Sequence, residues 1–203
     1  AETIQAEKLS LPKGIKPNGM TVYGLLLGDE HYVSECHTRA GSYPFCEQLV
    51  LPSYSTAKSL FAAVTMFYLE QQYGDVFSQK INSWVEQCNG DKWDEVTFAN
   101  LLDMSTGNYK FSKYAVDEAS LEKLAFFNAR TNQQKLVFAC EHYSRKNKPG
   151  KTFVYHTSDT YLLGAGLSAY VQDKLGKQTD LFSDVLYEKI FNLLGLSQTT
   201  AQS

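Results

Sequence analysis

The chain has 203 residues and a formal net charge of −3, with 43% hydrophobic and 20% charged residues, which is ordinary for a globular protein. This length allows one large domain or two small ones. No cluster of Lys and Arg marks a nucleic-acid surface, and no run approaches the about 20 apolar residues that a membrane span needs. Nucleic acid is therefore not an expected partner, and no membrane span is expected.

The first part of the chain is predicted to contain a β-hairpin. Residues 1–18 are polar and contain Pro12 and Pro17, which indicates an extended arm. An apolar, β-prone run over residues 21–27 is followed by a Gly-Asp-Glu turn and by a second run ending at His37. Two such runs around a short turn are typical of antiparallel strands. Residues 38–54 are predicted to form a loop.

Residues 55–72 are predicted to form one long helix that ends near Gly74. The segment LFAAVTMFYL inside it carries no charge, and a helix that is apolar on all sides is expected to be buried. Ser55 and Lys58 lie at its start, on one face and one turn apart.

The Ser55–Lys58 pair is a candidate nucleophile beside its base. A hydroxyl is a weak nucleophile that needs a nearby base, and a neutral lysine amine can take that role. The pattern S-x-x-K also occurs often by chance. The alternative interpretation is that Lys58 is a first-turn lysine whose ammonium reaches water.

The rest of the chain is predicted to be mostly helical. A break at Pro149-Gly150 separates two groups of helices. The predicted elements are a short element over 76–85, a helix with Thr97 as N-cap that continues to Met104, a two-part helical region over 117–147, and helices over 160–175 and 181–194.

Four cysteines, Cys36, Cys46, Cys88 and Cys140, allow two disulfides with three connectivities. Cys36 and Cys46 flank a short loop, so 36–46 with 88–140 is the simplest pairing, and four free thiols are the alternative. The Cys and His spacings do not match ordinary zinc sites, and no cofactor or metal is expected. Disulfides are typical of exported proteins. Cleavage by a signal peptidase before Ala1 would also indicate export, so a periplasmic or secreted location is expected.

Three motifs follow one another along the chain: Ser55-Thr56-Ala57-Lys58, VTFANLLDMSTG at 96–107 and PGKTFVYHT at 149–157. Together they resemble the motifs of the serine β-lactamase and penicillin-binding-protein superfamily. They are similar to S-x-x-K, I-T-x-x-x-L-L-x-x-T-S-G and P-G-x-x-F-x-Y-S-N in class C β-lactamases, related esterases and 6-aminohexanoate-dimer hydrolases. The segment FNLLGL at 191–196 resembles the end of a late helix in the same family, so the likeness spans most of the chain.

The resemblance implies a serine hydrolase that acts on an ester or amide through an acyl-enzyme. Ser55 would be the acylated nucleophile, Lys58 its base and Tyr155 a second proton-transfer residue. Judged without the motif, Tyr155 would be a partly buried core tyrosine.

One departure from the motif concerns substrate recognition. Thr157 stands where the family has Asn, and a hydroxyl offers one donor where an amide offers two donors and an acceptor. As a substrate-binding residue, Thr157 therefore suits an ester or simple amide better than the side-chain amide of a β-lactam.

A second departure concerns the far wall of the cleft. The family has a K-T-G or H-x-G strand after the late helices, and no match to it follows Gly195. The expected fold is therefore α+β and β-lactamase-like, with the C-terminal sheet strands absent from this chain. Residues 1–54 would be the arm and β-hairpin of the α/β domain, and 55–203 the helical domain. The missing C-terminal part would then be a partner, beside a small-molecule ester or amide substrate.

Three alternatives to a hydrolase remain open. The chain could be a non-hydrolytic binding or sensor module of the same fold, acylated without turnover. It could be an inactive fragment of such a protein. It could also be a helical scaffold in which the motif matches are accidental, because fold alone does not fix function.

Overall fold

The computed structural model describes residues 19–196 together with Gly14. The arm predicted over residues 1–18 lies, except for Gly14, outside the described residues. The chain divides into two compact units, Ala1–Pro52 and Ser53–Ser203.

The described part of the first unit contains two small antiparallel ladders. Strand β1, Gly24–Leu27, pairs with β2, Glu30–Val33, so that Leu25 lies opposite Tyr32. The turn between them begins at Gly28, whose φ of 60° suits a glycine.

The second ladder lies in the segment that was predicted to be a loop. Strand β3, His37–Thr38, pairs with β4, Gly41–Ser42. The loop prediction is wrong here because Gly41, with a φ of 112°, allows the chain to return tightly. A disulfide between Cys36 and Cys46, with Cα atoms 5.4 Å apart, closes the segment around this ladder.

The second unit is mostly helical. Its α-helices are α1 Val64–Tyr73, α2 Phe98–Leu102, α3 Leu124–Asn128, α4 Asn132–Glu141 and α5 Thr157–Leu175. Short 3₁₀ turns occur at Tyr54–Thr56, Val76–Ser78 and Ile81–Ser83, and another lies in the first unit at Cys46–Gln48. Two segments have π-helical hydrogen bonding, Lys58–Ala63 and Leu181–Phe191. Much helix with little strand agrees with the predicted α+β class.

The segment predicted as one helix over 55–72 is helical, but its hydrogen-bonding pattern changes along its length. A 3₁₀ turn, a π-helical segment and α1 follow one another from Tyr54 to Tyr73. The prediction that this helix is buried on all sides is wrong, because Leu60 is 48% and Phe67 62% exposed. An apolar run shows which side chains favour burial, but it does not show that a neighbouring segment covers them.

Helix α5 is the centre of the core. It packs against α2 and α4, and Gly166 allows the Phe98 ring to approach, since a Cβ there would lie 2.7 Å from Phe98 Cε1. A disulfide between Cys88 and Cys140 adds a covalent link. The largest fully buried apolar side chains of this core, from α5 and its neighbours, are Trp93, Tyr170, Phe98, Met66, Leu69, Ile81, Leu101, Leu162, Leu163 and Leu167.

The starts of two helices follow local rules. Thr97 caps α2 in a capping box with Asn100, which confirms the predicted N-cap. Helix α5 begins at Thr157, earlier than the predicted residue 160, so the Tyr155 motif leads directly into its first turn.

The predicted helix start at residue 117 is wrong. Residues 117–123 form turns before α3. The Asp117 carboxylate accepts hydrogen bonds from the backbone N–H groups of Lys110, at 2.8 Å, and Phe111, at 2.9 Å. The carboxylate thus bonds back to the loop before residue 117, where the chain forms turns in place of the predicted helix start.

Candidate active site

Ser55 lies at the exposed start of the helical run, between two proton-carrying side chains. The Tyr155 hydroxyl donates to Ser55 Oγ at 2.7 Å, and Lys58 Nζ donates to the same oxygen at 3.3 Å. Lys58 Nζ also lies 5.2 Å from the centre of the Tyr155 ring. The structure therefore brings together Ser55, Lys58 and Tyr155, although Tyr155 is remote from the other two in sequence.

The backbone just before Ser55 is strained. Tyr54 has a φ of 45°, in the left-handed region that costs a non-glycine residue about 1–3 kcal/mol when the surroundings impose it. Such residues are concentrated at functional sites. The Tyr54 side chain is 83% exposed, so core packing does not account for this conformation.

Thr157 joins this group from the first turn of α5. Lys58 Nζ donates to Thr157 Oγ1 at 3.2 Å. The amine of Lys58 thus lies between two hydroxyl oxygens, that of Ser55 in the S-x-x-K motif and that of Thr157 in the Tyr155 motif. Ser55, Lys58, Tyr155 and Thr157, the four residues that the sequence singled out, therefore lie within one hydrogen-bonded network.

A carboxylate that the sequence did not indicate holds Thr157. The Thr157 hydroxyl donates to Glu118 Oε1, and the Thr157 backbone N–H donates to Glu118 Oε2 at 3.0 Å. Lys123 Nζ forms an ion pair with Glu118 Oε2 at 3.3 Å. The polar network thus continues inward from the exposed serine.

Lys123 is a buried cation. Its side chain is 1% exposed, and Nζ lies 4.5 Å from the centre of the Phe126 ring. Burial lowers the pKa of Lys123, and the charge of Glu118 opposes this change in part. Glu118 is therefore the main group that balances this ammonium.

A second buried cluster surrounds His156, the residue between Tyr155 and Thr157. His156 Nε2 lies 3.1 Å from Asp117 Oδ2, and Nδ1 lies 3.7 Å from Asp159 Oδ1. The imidazole stacks on the Tyr143 ring at 4.1 Å. These contacts fix the backbone that carries Tyr155 and Thr157.

The charges of this cluster depend on one another. Burial alone would lower the pKa of His156, but the carboxylates of Asp159 and Asp117 outweigh burial and raise it. Burial raises the pKa of Asp159, although His156 opposes this. The imidazolium is thus favoured between two acidic groups.

A cavity of about 800 Å³ opens beside Lys58 and Thr157. Lys58 and Thr157 lie at its wall, and Phe61, Ala165 and Phe182 supply much of its apolar lining. Its volume is within the range of small-molecule sites. A small molecule placed there would lie next to the Lys58 amine.

Sequence reasoning found the hydrogen-bonded hydroxyls and amine but missed the groups behind them: Asp117, Glu118, Lys123, His156 and Asp159. His156 and Asp159 lie within or beside the Tyr155 motif, which was a usable signal. Glu118 and Lys123 carry no local signature, because their role depends on where the 117–123 turns fold.

Neither a metal centre nor a membrane span is seen in the described residues. Within 19–196 there is no group of three or more His, Cys, Asp or Glu side chains suited to a metal ion. In the same part of the chain, every helix is too short or too polar to cross a bilayer. All four cysteines are in the two disulfides.

A match to a family model identifies the fold as that of a serine hydrolase. The model of the Beta-lactamase family matches residues 23–203, so the chain belongs to this family. The search of curated proteins found no match.

Proposed function

We propose that the protein is a serine hydrolase that cleaves a small-molecule ester or amide through an acyl-enzyme at Ser55. The observation that carries the proposal is that Ser55 Oγ lies within hydrogen-bond distance of both Lys58 Nζ and the Tyr155 hydroxyl. This is the arrangement of a nucleophile with its acid and base groups.

Acylation starts with Lys58 as a neutral amine. Ser55 Oγ attacks the carbonyl carbon and its proton passes to Lys58 Nζ. The bond from carbon to the leaving group then breaks, and the leaving alcohol or amine takes the proton of the Tyr155 hydroxyl. The products are an ester at Ser55, a free leaving group, a Lys58 ammonium and a Tyr155 phenolate.

Deacylation restores every group. A water molecule gives a proton to the Tyr155 phenolate and attacks the acyl carbon. The bond to Ser55 Oγ breaks, and this oxygen takes the proton held by Lys58. The carboxylic acid leaves, and the sum of both stages is hydrolysis of one ester or amide bond by one water. The Ser55 backbone N–H supplies one oxyanion donor.

Two further features belong to the proposal. Two disulfides suit a periplasmic or secreted protein. Thr157 in place of an amide favours an ester or simple amide over a β-lactam with a side-chain amide.

The test is covalent labelling by a fluorophosphonate probe, read by intact mass and peptide mapping. We expect one adduct at Ser55, none in Ser55→Ala, and unchanged labelling in Ser53→Ala, which alters a neighbouring exposed serine. A folded wild-type protein that stays unlabelled would overturn the proposal. Acylation by an ester substrate without product release would instead indicate the binding or sensor module.

A further inference from the structure

We propose that Glu118 is a positioning residue that orients Lys58 as the base by fixing the direction of the hydrogen bond between Lys58 and Thr157. This inference rests on the proposed function. It concerns a residue that three successive hydrogen bonds connect to the nucleophile, by way of Thr157 and Lys58.

The first step is the hydrogen-bonding capacity of Thr157. A hydroxyl has one proton to donate and two lone pairs. An ionised carboxylate can only accept, and Glu118 Oε2 forms an ion pair with buried Lys123 at 3.3 Å. The single proton of Thr157 is therefore directed to Glu118 Oε1.

The second step is what this leaves for Lys58. With its proton used, Thr157 Oγ1 can only accept from Lys58 Nζ, which lies 3.2 Å away. A neutral lysine amine has two protons and one lone pair. One N–H points to Thr157 and another to Ser55 Oγ, 3.3 Å from Nζ. Rotation of the amine about its hydrogen bond to Thr157 turns the lone pair to Ser55 instead, where it can receive the serine proton.

The opposite direction would block the base. If Thr157 donated its proton to Lys58, that hydrogen bond would occupy the lone pair, and the amine could not accept the proton of Ser55. Glu118 excludes this state, because its carboxylate holds the Thr157 side chain and backbone N–H together.

The same arrangement changes the expected role of Thr157. The resemblance to the family suggests a substrate contact at this position. Here the hydroxyl has no proton left for a substrate carbonyl, so we assign Thr157 to holding Lys58.

The experiment is a double-mutant cycle on the rate of Ser55 labelling by a fluorophosphonate, using Glu118→Gln and Thr157→Val in the full chain. The glutamine amide can donate to Thr157 and so allow the blocked direction. We expect Glu118→Gln to slow labelling by about a hundredfold, the low end of what a general base contributes. In the Thr157→Val background, Glu118→Gln should have little further effect, since the hydroxyl that it reorients is gone. Thr157→Ser, which keeps the hydroxyl, should retain most of the rate.

Two controls separate positioning from folding. Glu122→Gln changes an exposed carboxylate close to Glu118 in sequence, paired with Lys110, and should leave labelling unchanged. If Glu118→Gln unfolds because Lys123 loses its partner, the combined Glu118→Gln, Lys123→Met protein lacks the unpaired charge and replaces it in the cycle.

Each outcome decides between the two claims. If wild type is not labelled, the proposed function fails and this inference fails with it. If wild type is labelled, but Glu118→Gln either has no effect or slows labelling equally with and without the Thr157 hydroxyl, Glu118 is a structural residue only and the inference alone is wrong.

Discussion

The two sides of Ser55 differ in their access to water. On the open side, Ser55 is exposed, and the neighbouring Tyr54 and Tyr114 also have largely exposed side chains. On the buried side, three side chains that lie behind Thr157 are almost completely enclosed: those of His156, Asp159 and Lys123. The groups that would meet a substrate are thus accessible, while the groups that hold them lie in a low dielectric, where an unpaired charge is costly.

This contrast predicts that the open side determines mainly the rate of reaction and the buried side mainly the stability. Changes on the open side should alter the rate of reaction with little effect on stability, because few buried contacts are lost. Changes on the buried side should alter stability first. The predictions below test this division.

The largest expected effect is kinetic and on the open side. Lys58→Met and Tyr155→Phe should each slow fluorophosphonate labelling of Ser55 by about 10²–10⁴-fold, the contribution of a positioned acid or base, with little change in the midpoint of thermal unfolding. Tyr114→Phe is the matched control, since its ring lies 6.2 Å from that of Tyr155 but is not part of the proton transfer. Full labelling of both Lys58→Met and Tyr155→Phe would remove the proposed roles.

The next effect is on stability, and it tests the buried side. Lys123→Met leaves the Glu118 carboxylate without its buried partner, which should lower the free energy of unfolding by about 3–5 kcal/mol, measured by urea denaturation. Lys110→Met is the control, because the Lys110–Glu122 pair is about half exposed and such pairs contribute little. Equal losses in the two variants would mean that burial of Lys123 does not matter.

The sequence predicted the parts of this arrangement that depend on local order. S-x-x-K places Ser55 and Lys58 on one face wherever a helical turn forms there, and Thr97 caps α2 through a residue only three positions away, Asn100. The motif around Tyr155 was informative for the same reason. Its residues follow one another in a recognisable order and lead directly into the start of α5.

The rest could not be predicted because it depends on tertiary contacts. Glu118 reaches Thr157 from the turns over 117–123, next to Asp117, whose carboxylate accepts from the backbone N–H groups of Lys110 and Phe111. The periodicity of apolar residues along the sequence carries no information about such hydrogen bonds from a side chain to the backbone of another segment. The exposure of Phe67 also depends on which segment covers α1, which hydrophobicity alone does not specify.

A smaller effect compares two glycines of α5. Gly166→Ala should lower the free energy of unfolding by about 1–3 kcal/mol, because the new Cβ would lie 2.7 Å from Phe98 Cε1 and 3.0 Å from Ile81 Cδ1. Gly164→Ala meets no atom within 4 Å and should stabilise the helix by up to about 1 kcal/mol. Urea denaturation measures both, and a stabilised Gly166→Ala would show that the core yields at this contact.

The smallest expected effect is the pH dependence of stability that arises from His156. Its pKa is raised in the folded protein, because Asp159 and Asp117 outweigh burial and the opposing charge of Lys123. A group whose folded pKa lies above its unfolded value of about 6.5 stabilises the fold fully below that pH, and this contribution is lost as the pH rises through the folded pKa. The midpoint of thermal unfolding should therefore fall above about pH 6.5 in wild type, and this fall should be weaker in His156→Gln.

His142 provides a comparison of opposite sign within the same chain. Burial lowers its pKa, with Glu122 opposing, so its contribution to stability is lost as the pH falls below about 6.5. His142→Gln should therefore change the acidic side of the profile and leave the fall above that pH intact. If His156→Gln retained the full fall and His142→Gln removed it, the buried cluster behind Thr157 would not carry the charge that its geometry indicates, and the contrast between the two sides of Ser55 would lose its electrostatic basis.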